Sequence, residues 1–81
     1  MEDLGLKITG YLSGMDQKVG EYDGKRKVTY RYLVVCGMES YLINSNENYE
    51  GSCVLQDIVT FKVTARVFGG KIFYSNGVLL I

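Results

Sequence analysis

The sequence contains no histidine, no tryptophan and no proline, and its only alanine is Ala65. The absence of histidine excludes His-dependent catalytic triads and removes the commonest ligand of zinc and iron sites. Two cysteines, Cys36 and Cys53, cannot close a tetrahedral metal site without further soft ligands. We therefore expect no metal, no cofactor and no catalytic residues, and we expect that the chain is not an enzyme.

Long apolar runs are also missing, and no stretch approaches the roughly 20 residues of a membrane-spanning helix. No N-terminal signal peptide is evident either. Since a disulfide needs an oxidising compartment, Cys36 and Cys53 are expected to be two buried thiols that are not bonded to each other. These absences predict a soluble, cytoplasmic protein without a membrane partner.

The chain is rich in residues that favour β-strands. It has ten glycines and seven tyrosines, and 47% of its residues are hydrophobic, which is too many for a disordered chain. A small all-β domain avoids exposed edges by closing into a barrel, and the bends that closure demands are made by glycines such as Gly10. A length of 81 residues is that of one domain, so we expect a single barrel over residues 1–81.

Alternation of apolar and polar residues outlines five strands, and in the fourth it predicts that Val59, Phe61, Val63, Ala65 and Val67 face the core. The strands are predicted at Leu4–Leu12, Lys27–Cys36, Glu39–Asn44, Asp57–Phe68 and Lys71–Ile81, the last interrupted at residues 75–77 by a bulge or turn. Residues 13–26 are predicted as a loop or frayed hairpin with a turn at Asp23-Gly24, and residues 44–52 as a polar connection. Five strands with a long second strand indicate an OB-fold-like Greek-key barrel, with an SH3-like barrel as the alternative.

Nine basic and nine acidic residues give the chain a net charge of zero, but the two kinds occupy different parts of the sequence. Five bases take the outward positions of predicted strands, namely Lys7, Lys27, Arg31, Lys62 and Arg66. Lys25 comes just before the second predicted strand. Except for Glu39, the acids fall at the N-terminus or in predicted loops: Glu2, Asp3, Asp16, Glu21, Asp23, Glu47, Glu50 and Asp57. The pattern predicts one basic wall, although lysines on a solvated surface that block sheet edges would give a similar pattern.

Aromatic residues divide into core and surface candidates. Phe61 and at least one of Tyr30 and Tyr32 are expected in the core, and the pattern leaves Tyr41, Tyr49 and Phe73 open between the two roles. Tyr11 and Phe68 take outward positions, where proteins that bind single strands place rings on which bases stack. An exposed ring at a hairpin tip, as predicted for Phe68, calls for a base or another subunit as its partner.

Several segments resemble small OB-fold proteins that bind single-stranded DNA. The pattern L-x-I-x-G-x-L at residues 6–12 and the runs DGK and YRYLVV resemble their first half, and DIVTFKV with VFGGKIFY resembles their last hairpin. The likeness is nearest to the gene V type of filamentous phages. It implies a homodimer that coats single-stranded DNA cooperatively, in the replication of a phage or other mobile element. It also implies that Lys25 faces phosphate and that Phe68 is the hairpin-tip aromatic.

The sequence thus predicts binding of single-stranded DNA largely without sequence preference, with RNA as a possible ligand. The candidate residues are Lys7, Tyr11, Lys25, Lys27, Arg31, Lys62, Arg66 and Phe68. A homodimer is expected through outward apolar residues, namely Leu33, Val35 and Phe68. The alternative function is a non-enzymatic protein-interaction barrel that serves as an assembly or adaptor subunit.

Overall fold

The computed structural model describes residues 4–80, which contain five β-strands and no helix, and so none that could cross a membrane. The strands are β1 (Leu4–Tyr22), β2 (Lys25–Cys36), β3 (Glu39–Ser45), β4 (Ile58–Phe68) and β5 (Lys71–Leu79). They form a closed barrel in the order β1-β2-β3-β5-β4, which confirms the predicted all-β barrel of five strands. The predicted strand end at Ile81 and the acids Glu2 and Asp3 lie outside the described residues.

The barrel closes because each of the five strands pairs with two neighbours. The first half of β1 runs antiparallel to β4, and its second half runs antiparallel to β2. On the other side of the barrel, β3 meets β5 through a parallel bridge between Ile43 and Tyr74. The chain therefore passes from β3 to β4 without pairing the two, as a Greek-key connection does.

The core lies inside the barrel and is lined by alternate residues of four strands and one residue of the β3–β4 connection. Its buried members are Ile8, Leu12, Tyr32, Val34, Ile43, Cys53, Val59, Phe61 and Val63. The rings of Tyr32 and Phe61 lie 5.2 Å apart between centroids. The expected core roles of Phe61 and of one of the two β2 tyrosines are confirmed.

Strand β1 is much longer than predicted, since it continues through the segment that was expected to be a loop. It has 19 residues, and its second half pairs with β2 as far as the turn at Asp23-Gly24. Both turn residues have positive φ angles, 51° and 73°, as a two-residue hairpin turn requires. We call residues 14–22 of β1, with the part of β2 that pairs with them, the β1–β2 arm. The β1 side of the arm is mostly exposed and carries little apolar alternation, so periodicity does not reveal it.

Two bulges adjust the register of the barrel. The β1–β2 pairing shifts between Leu12 and Gly14, so that Ser13 is an extra residue in β1. The β4–β5 pairing shifts between Lys62 and Thr64, opposite Asn76, whose φ angle is 53°. The predicted interruption of the fifth strand is therefore a bulge within a continuous strand.

Gly10 is required by a close approach of two strands. A Cβ atom at this position would overlap the backbone oxygen of Val35 and lie 2.9 Å from its carbonyl carbon. We expect Gly10→Ala to destabilise the fold by about 1–3 kcal/mol, as overpacked cores do, which lowers the Tm of a domain this size by roughly 4–8 °C per kcal/mol. Gly20→Ala is the control, because nothing lies within 4 Å of a Cβ there. Equal melting temperatures for the two variants would contradict this explanation.

The two cysteines are free thiols in different surroundings. Cys53 is buried, and burial raises the pKa of its thiol, whose Sγ lies 3.4 Å from the backbone oxygen of Tyr49. The predicted absence of a Cys36–Cys53 bond is confirmed, but the prediction that both thiols are buried is wrong for Cys36. That residue is the last of β2 and lies at the exposed turn to β3.

The β4–β5 hairpin extends beyond the part of β4 that pairs with β1. The last described β1–β4 pair joins Leu4 and Ala65, and the hairpin continues to its turn at Gly69-Gly70. Val67 was predicted to face the core, but it is 74% exposed, because no described strand covers this side of the hairpin.

Candidate functional site

The outer face of β2 is the centre of a groove that crosses several strands. Lys27, Thr29 and Arg31 alternate along this face, and the pairing register places Lys18 of β1 opposite Thr29 and Asn44 of β3 opposite Arg31. Directly opposed residues of an antiparallel pair project from the same face of a sheet. The β1–β2 arm and β3 therefore add their side chains to those of β2.

Strand β5 provides the far wall of this groove, with Phe73, Ser75 and Asn76. We call the whole the basic groove; its lining consists of Lys18, Lys27, Thr29, Arg31, Leu42, Asn44, Ser45, Asn46, Phe73, Ser75 and Asn76. Its volume of about 530 Å³ lies within the range of ligand-sized clefts, about 300–1,000 Å³. Three cationic side chains, several amides and one aromatic ring line it, and no carboxylate does.

One of the three cations already has an acidic partner. Arg31 donates hydrogen bonds from Nε (2.7 Å) and Nη2 to the two carboxylate oxygens of Asp16, its cross-strand neighbour in β1. These hydrogen bonds lower the pKa of the Asp16 carboxyl and raise that of Arg31. Because the lowered pKa belongs to an acid, the pair stabilises the fold above the ordinary Asp pKa of 3.8 and is lost as the pH falls through the lowered value.

The position of Asp16 corrects the prediction that acids lie only in loops and at the N-terminus. Asp16 and Glu21 both belong to β1. Asp16 lies on the same face of the sheet as Arg31, so Arg31 is a partly neutralised member of the groove. Lys18 and Lys27 are the groove cations that have no acidic partner among residues 4–80.

A buried hydroxyl fixes the boundary between β3 and β5 at the end of the groove. Ser45 Oγ donates to the carbonyl oxygen of Gly77 (2.7 Å) and accepts a hydrogen bond from the backbone N–H of Glu47 (3.1 Å). Ser45 therefore links β3, the bulged part of β5 and the start of the β3–β4 connection. This holds the backbone on both sides of Asn46, and on the Gly77 side of Asn76, at the groove.

The structure brings some of the predicted site residues together near the groove. Lys27 and Arg31 line it, and Lys25 begins β2 at the tip of the arm. Arg66 of β4 lies directly opposite Phe73 of β5, so it continues the same outer face beyond the groove wall. Phe68 lies next to the hairpin turn on this side and is 78% exposed.

The other predicted residues do not line the basic groove, so the predicted set is not gathered into one site. Lys7 of β1 is opposite Lys62 of β4, and Tyr11 is opposite Ile58 of β4. Around the barrel, this β1–β4 wall is separated from β3 by β2 on one side and by β5 on the other. Lys7, Lys62 and Tyr11 therefore lie outside the lining of the basic groove, although Tyr11 is also opposite Val35 at the far end of the outer β2 row.

Sequence reasoning did not include Lys18 and Phe73 in the site. Lys18 fell in the predicted loop, although counting back from the Asp23-Gly24 turn would have placed it opposite Thr29. Phe73 was left open between core and surface, because the strand pattern around it is interrupted. It is 44% exposed in the groove, whereas Tyr41 and Tyr49, left open in the same way, pack against the core.

A solved structure has a similar fold. The solution NMR structure of the OB domain of a Thermoplasma acidophilum protein matches with a TM-score of 0.64 and 20% sequence identity. The match covers 89% of this chain and 66% of that one. The chain has an OB fold. The OB prediction is therefore confirmed over the SH3-like alternative, while no family model and no curated protein sequence matches.

The groove occupies the part of an OB fold that commonly contacts ligands. OB folds bind oligonucleotides and oligosaccharides on the β2–β3 face, between the β1–β2 and β4–β5 loops. In this chain the same elements are the arm, the outer residues of β2 and β3, and the β4–β5 hairpin. The lining residues decide which ligand chemistry suits the site.

Proposed function

We propose that this chain binds single-stranded DNA in the basic groove, largely without sequence preference. The observation that carries the proposal is the lining of the groove, which combines Lys18, Lys27 and Arg31 with the exposed ring of Phe73 and has no carboxylate. Cations that follow a phosphate backbone and rings that stack on bases are the two components of sequence-tolerant single-strand binding. No reaction is assigned to the chain.

The phosphate contacts come from the arm and from β2. Lys18 and Lys27 lie along the groove, and Lys25 extends the same row to the arm tip. If these three lysines neutralise about three phosphates, log K falls with log salt at a slope of about −2 on single strands. Arg31 adds little to this slope because Asp16 already pairs with it.

The stacking contacts come from the β4–β5 hairpin. Phe73 lies in the groove wall, and Phe68 lies two residues nearer to the turn on the same strand pair. Both rings project on the side of Arg66, so a strand that crosses the groove would meet cations and rings in turn. The role of Phe68 implied by the resemblance fits this arrangement.

Titration of a fluorescent oligo-dT by anisotropy tests the proposal. Affinity is expected to fall roughly 20-fold between about 50 mM and about 200 mM salt, as a slope near −2 requires. An oligo-U of equal length and a neutral oligosaccharide are measured beside it. Tighter binding of oligo-U would make RNA the ligand, and no binding to any of the three, or binding insensitive to salt, would refute the proposal.

A protein-interaction barrel remains the second candidate, and one observation favours it. The β4–β5 hairpin exposes apolar side chains on both faces, with Val67 and Ile72 on one and Phe68 on the other. Such a hairpin suits a protein surface as well as a nucleic acid. Failure of the oligonucleotide titration would make this the leading function.

The predicted homodimer interface overlaps the proposed DNA track. Leu33 and Val35 follow Arg31 along the outer face of β2, and Leu33 lies opposite Leu42, which lines the groove. A dimer through this face would cover part of the groove. The homodimer, the role in replication and the origin in a phage or mobile element stay predictions.

A further inference from the structure

The β1–β2 arm has a free sheet edge. Among residues 4–80, β1 pairs with β4 only as far as Tyr11, and its residues 14–22 pair with β2 alone. At the base of the arm the edge is still occupied, because the Leu12 N–H donates to Asp57 (2.8 Å) and the Leu12 carbonyl accepts from Gln56 (2.7 Å). Two-stranded ribbons are marginally stable alone, and an unpaired edge is a template for another strand.

The turn geometry determines which backbone groups point outward along this edge. A two-residue hairpin turn makes Tyr22 and Lys25 a hydrogen-bonded pair, and hydrogen-bonded and non-hydrogen-bonded pairs then alternate along the arm. The N–H and C=O groups of alternate residues therefore face away from β2. These residues are Met15, Gln17, Val19 and Glu21.

We propose that a second copy of this chain occupies the edge, with the two β1 strands antiparallel and the two-fold axis at Gln17. In this register the outward backbone groups of the two copies meet, and Lys18 lies opposite Asp16 of the partner subunit. Opposite charges directly across a strand pair are favourable, and like charges are unfavourable. A two-fold axis at residue 18 or at residue 16 would instead oppose two lysines or two aspartates.

The same register also matches the apolar residues of the inner face. Val19 lies opposite Met15 of the partner subunit. Within one chain Val19 is paired with Val28, and Met15 is paired with the buried Tyr32. The contact would join these pairs into one apolar row across four strands. It would cover Val19, which is 44% exposed in the single chain.

This interface leaves the outer face of the arm exposed, and the Lys18 of each copy lies there beside the Asp16 of the partner subunit, a carboxylate that Arg31 already binds within each chain. Lys18 and Lys27 project from the side of the sheet opposite to Val19, so pairing of the edges places the basic grooves of both copies on one side of a four-stranded sheet. The inference does not rest on nucleic-acid binding, because the edge and its register are properties of the chain alone.

Light scattering without nucleic acid tests the association. At about 100 μM, a concentration that populates any dimer with a micromolar Kd, the native chain is expected at twice its monomer mass. Lys18→Glu should weaken the dimer about tenfold or more, because it places two acids opposite each other at two equivalent positions. Val19→Pro should also yield monomers, since it removes an N–H of the free edge and no hydrogen bond to β2. Lys25→Glu changes the same charge on the other strand of the arm and should leave the dimer intact.

Disulfide cross-linking then tests the register, in a Cys36→Ser background. A Gln17→Cys chain should cross-link to its partner, because Cα atoms across a strand pair lie about 5.5 Å apart, within disulfide range. Two cysteines at position 21 would lie about 26 Å apart in this register, so Glu21→Cys should not cross-link. A monomeric native chain, equal cross-linking at both positions, or a dimer that survives both Lys18→Glu and Val19→Pro would overturn the proposal.

Discussion

Replacing Phe73 by alanine is expected to weaken oligo-dT binding about 5- to 140-fold while leaving its salt dependence unchanged. Loss of one stacked ring costs about 1–3 kcal/mol, and stacking releases no counterions. Phe73 is the aromatic residue of the basic groove, and its ring is 44% exposed before any ligand binds. Anisotropy titration at several salt concentrations measures both quantities.

Matched substitutions separate this effect from a general loss of aromatic or basic residues. Tyr11→Ala removes a ring that is 57% exposed on the β1–β4 wall and should leave affinity unchanged. Lys27→Ala should lower the salt slope by about 0.7, whereas Lys7→Ala removes the same charge from the other wall and should not. Equal losses from Phe73→Ala and Tyr11→Ala would show that the groove is not the binding surface.

Replacing Tyr32 by alanine is expected to cost about 3–5 kcal/mol of stability, the usual range for a buried aromatic side chain. Tyr32 is 2% exposed and packs against Phe61, and its hydroxyl joins the barrel to the β3–β4 connection. That hydroxyl donates to the Glu47 carbonyl oxygen and accepts from the Tyr49 N–H, each at 2.8 Å. Burial raises the pKa of Tyr32 above the ordinary tyrosine value of 10.

The size of this loss is large for so small a domain. At roughly 0.05–0.15 kcal/mol per residue, a chain of 81 residues is stable by roughly 4–12 kcal/mol. Denaturant unfolding measures the change, and Tyr32→Phe separates its parts, since it keeps the ring but leaves two polar groups unpaired at a cost of about 1–3 kcal/mol. Tyr30→Phe alters a half-buried ring and serves as the control. A Tyr32→Phe chain as stable as the native one would show that water replaces the lost contacts.

The residues that alternate strictly were placed correctly from the sequence, because burial of one sheet face leaves a period of two. Strand β4 shows this best, with Val59, Phe61 and Val63 buried as expected. The same reasoning failed for Val67. The apolar alternation continues as far as this residue, but β4 has by then extended past the barrel, so no described strand covers the side chain. It also failed for Cys36. This residue continues the apolar alternation of β2, but it is the last residue of the strand and lies beyond the core.

The β1–β2 arm shows the opposite failure. Residues 16–22 of β1 are exposed on both faces, so no apolar period distinguishes them from a loop, and only the Asp23-Gly24 turn signals a hairpin. The register counted from that turn is what places Asp16 opposite Arg31. The sequence therefore contained the signal for the pair, but not in its hydrophobic pattern.

The sequence by itself determined the fold class, the number of strands, most of the core and the outward direction of the basic residues, because each depends on local alternation and turn chemistry. Only the tertiary structure decided which outward residues share a surface. That depends on which segments pair: the first half of β1 pairs with β4, which places Lys7 beside Lys62, whereas its second half pairs with β2, which brings Lys18 to the groove of Lys27. The contact of β5 with β3 likewise brings Phe73 to the groove. Strand order is set by pairing between distant segments, and a pattern along the chain carries no record of which segments meet.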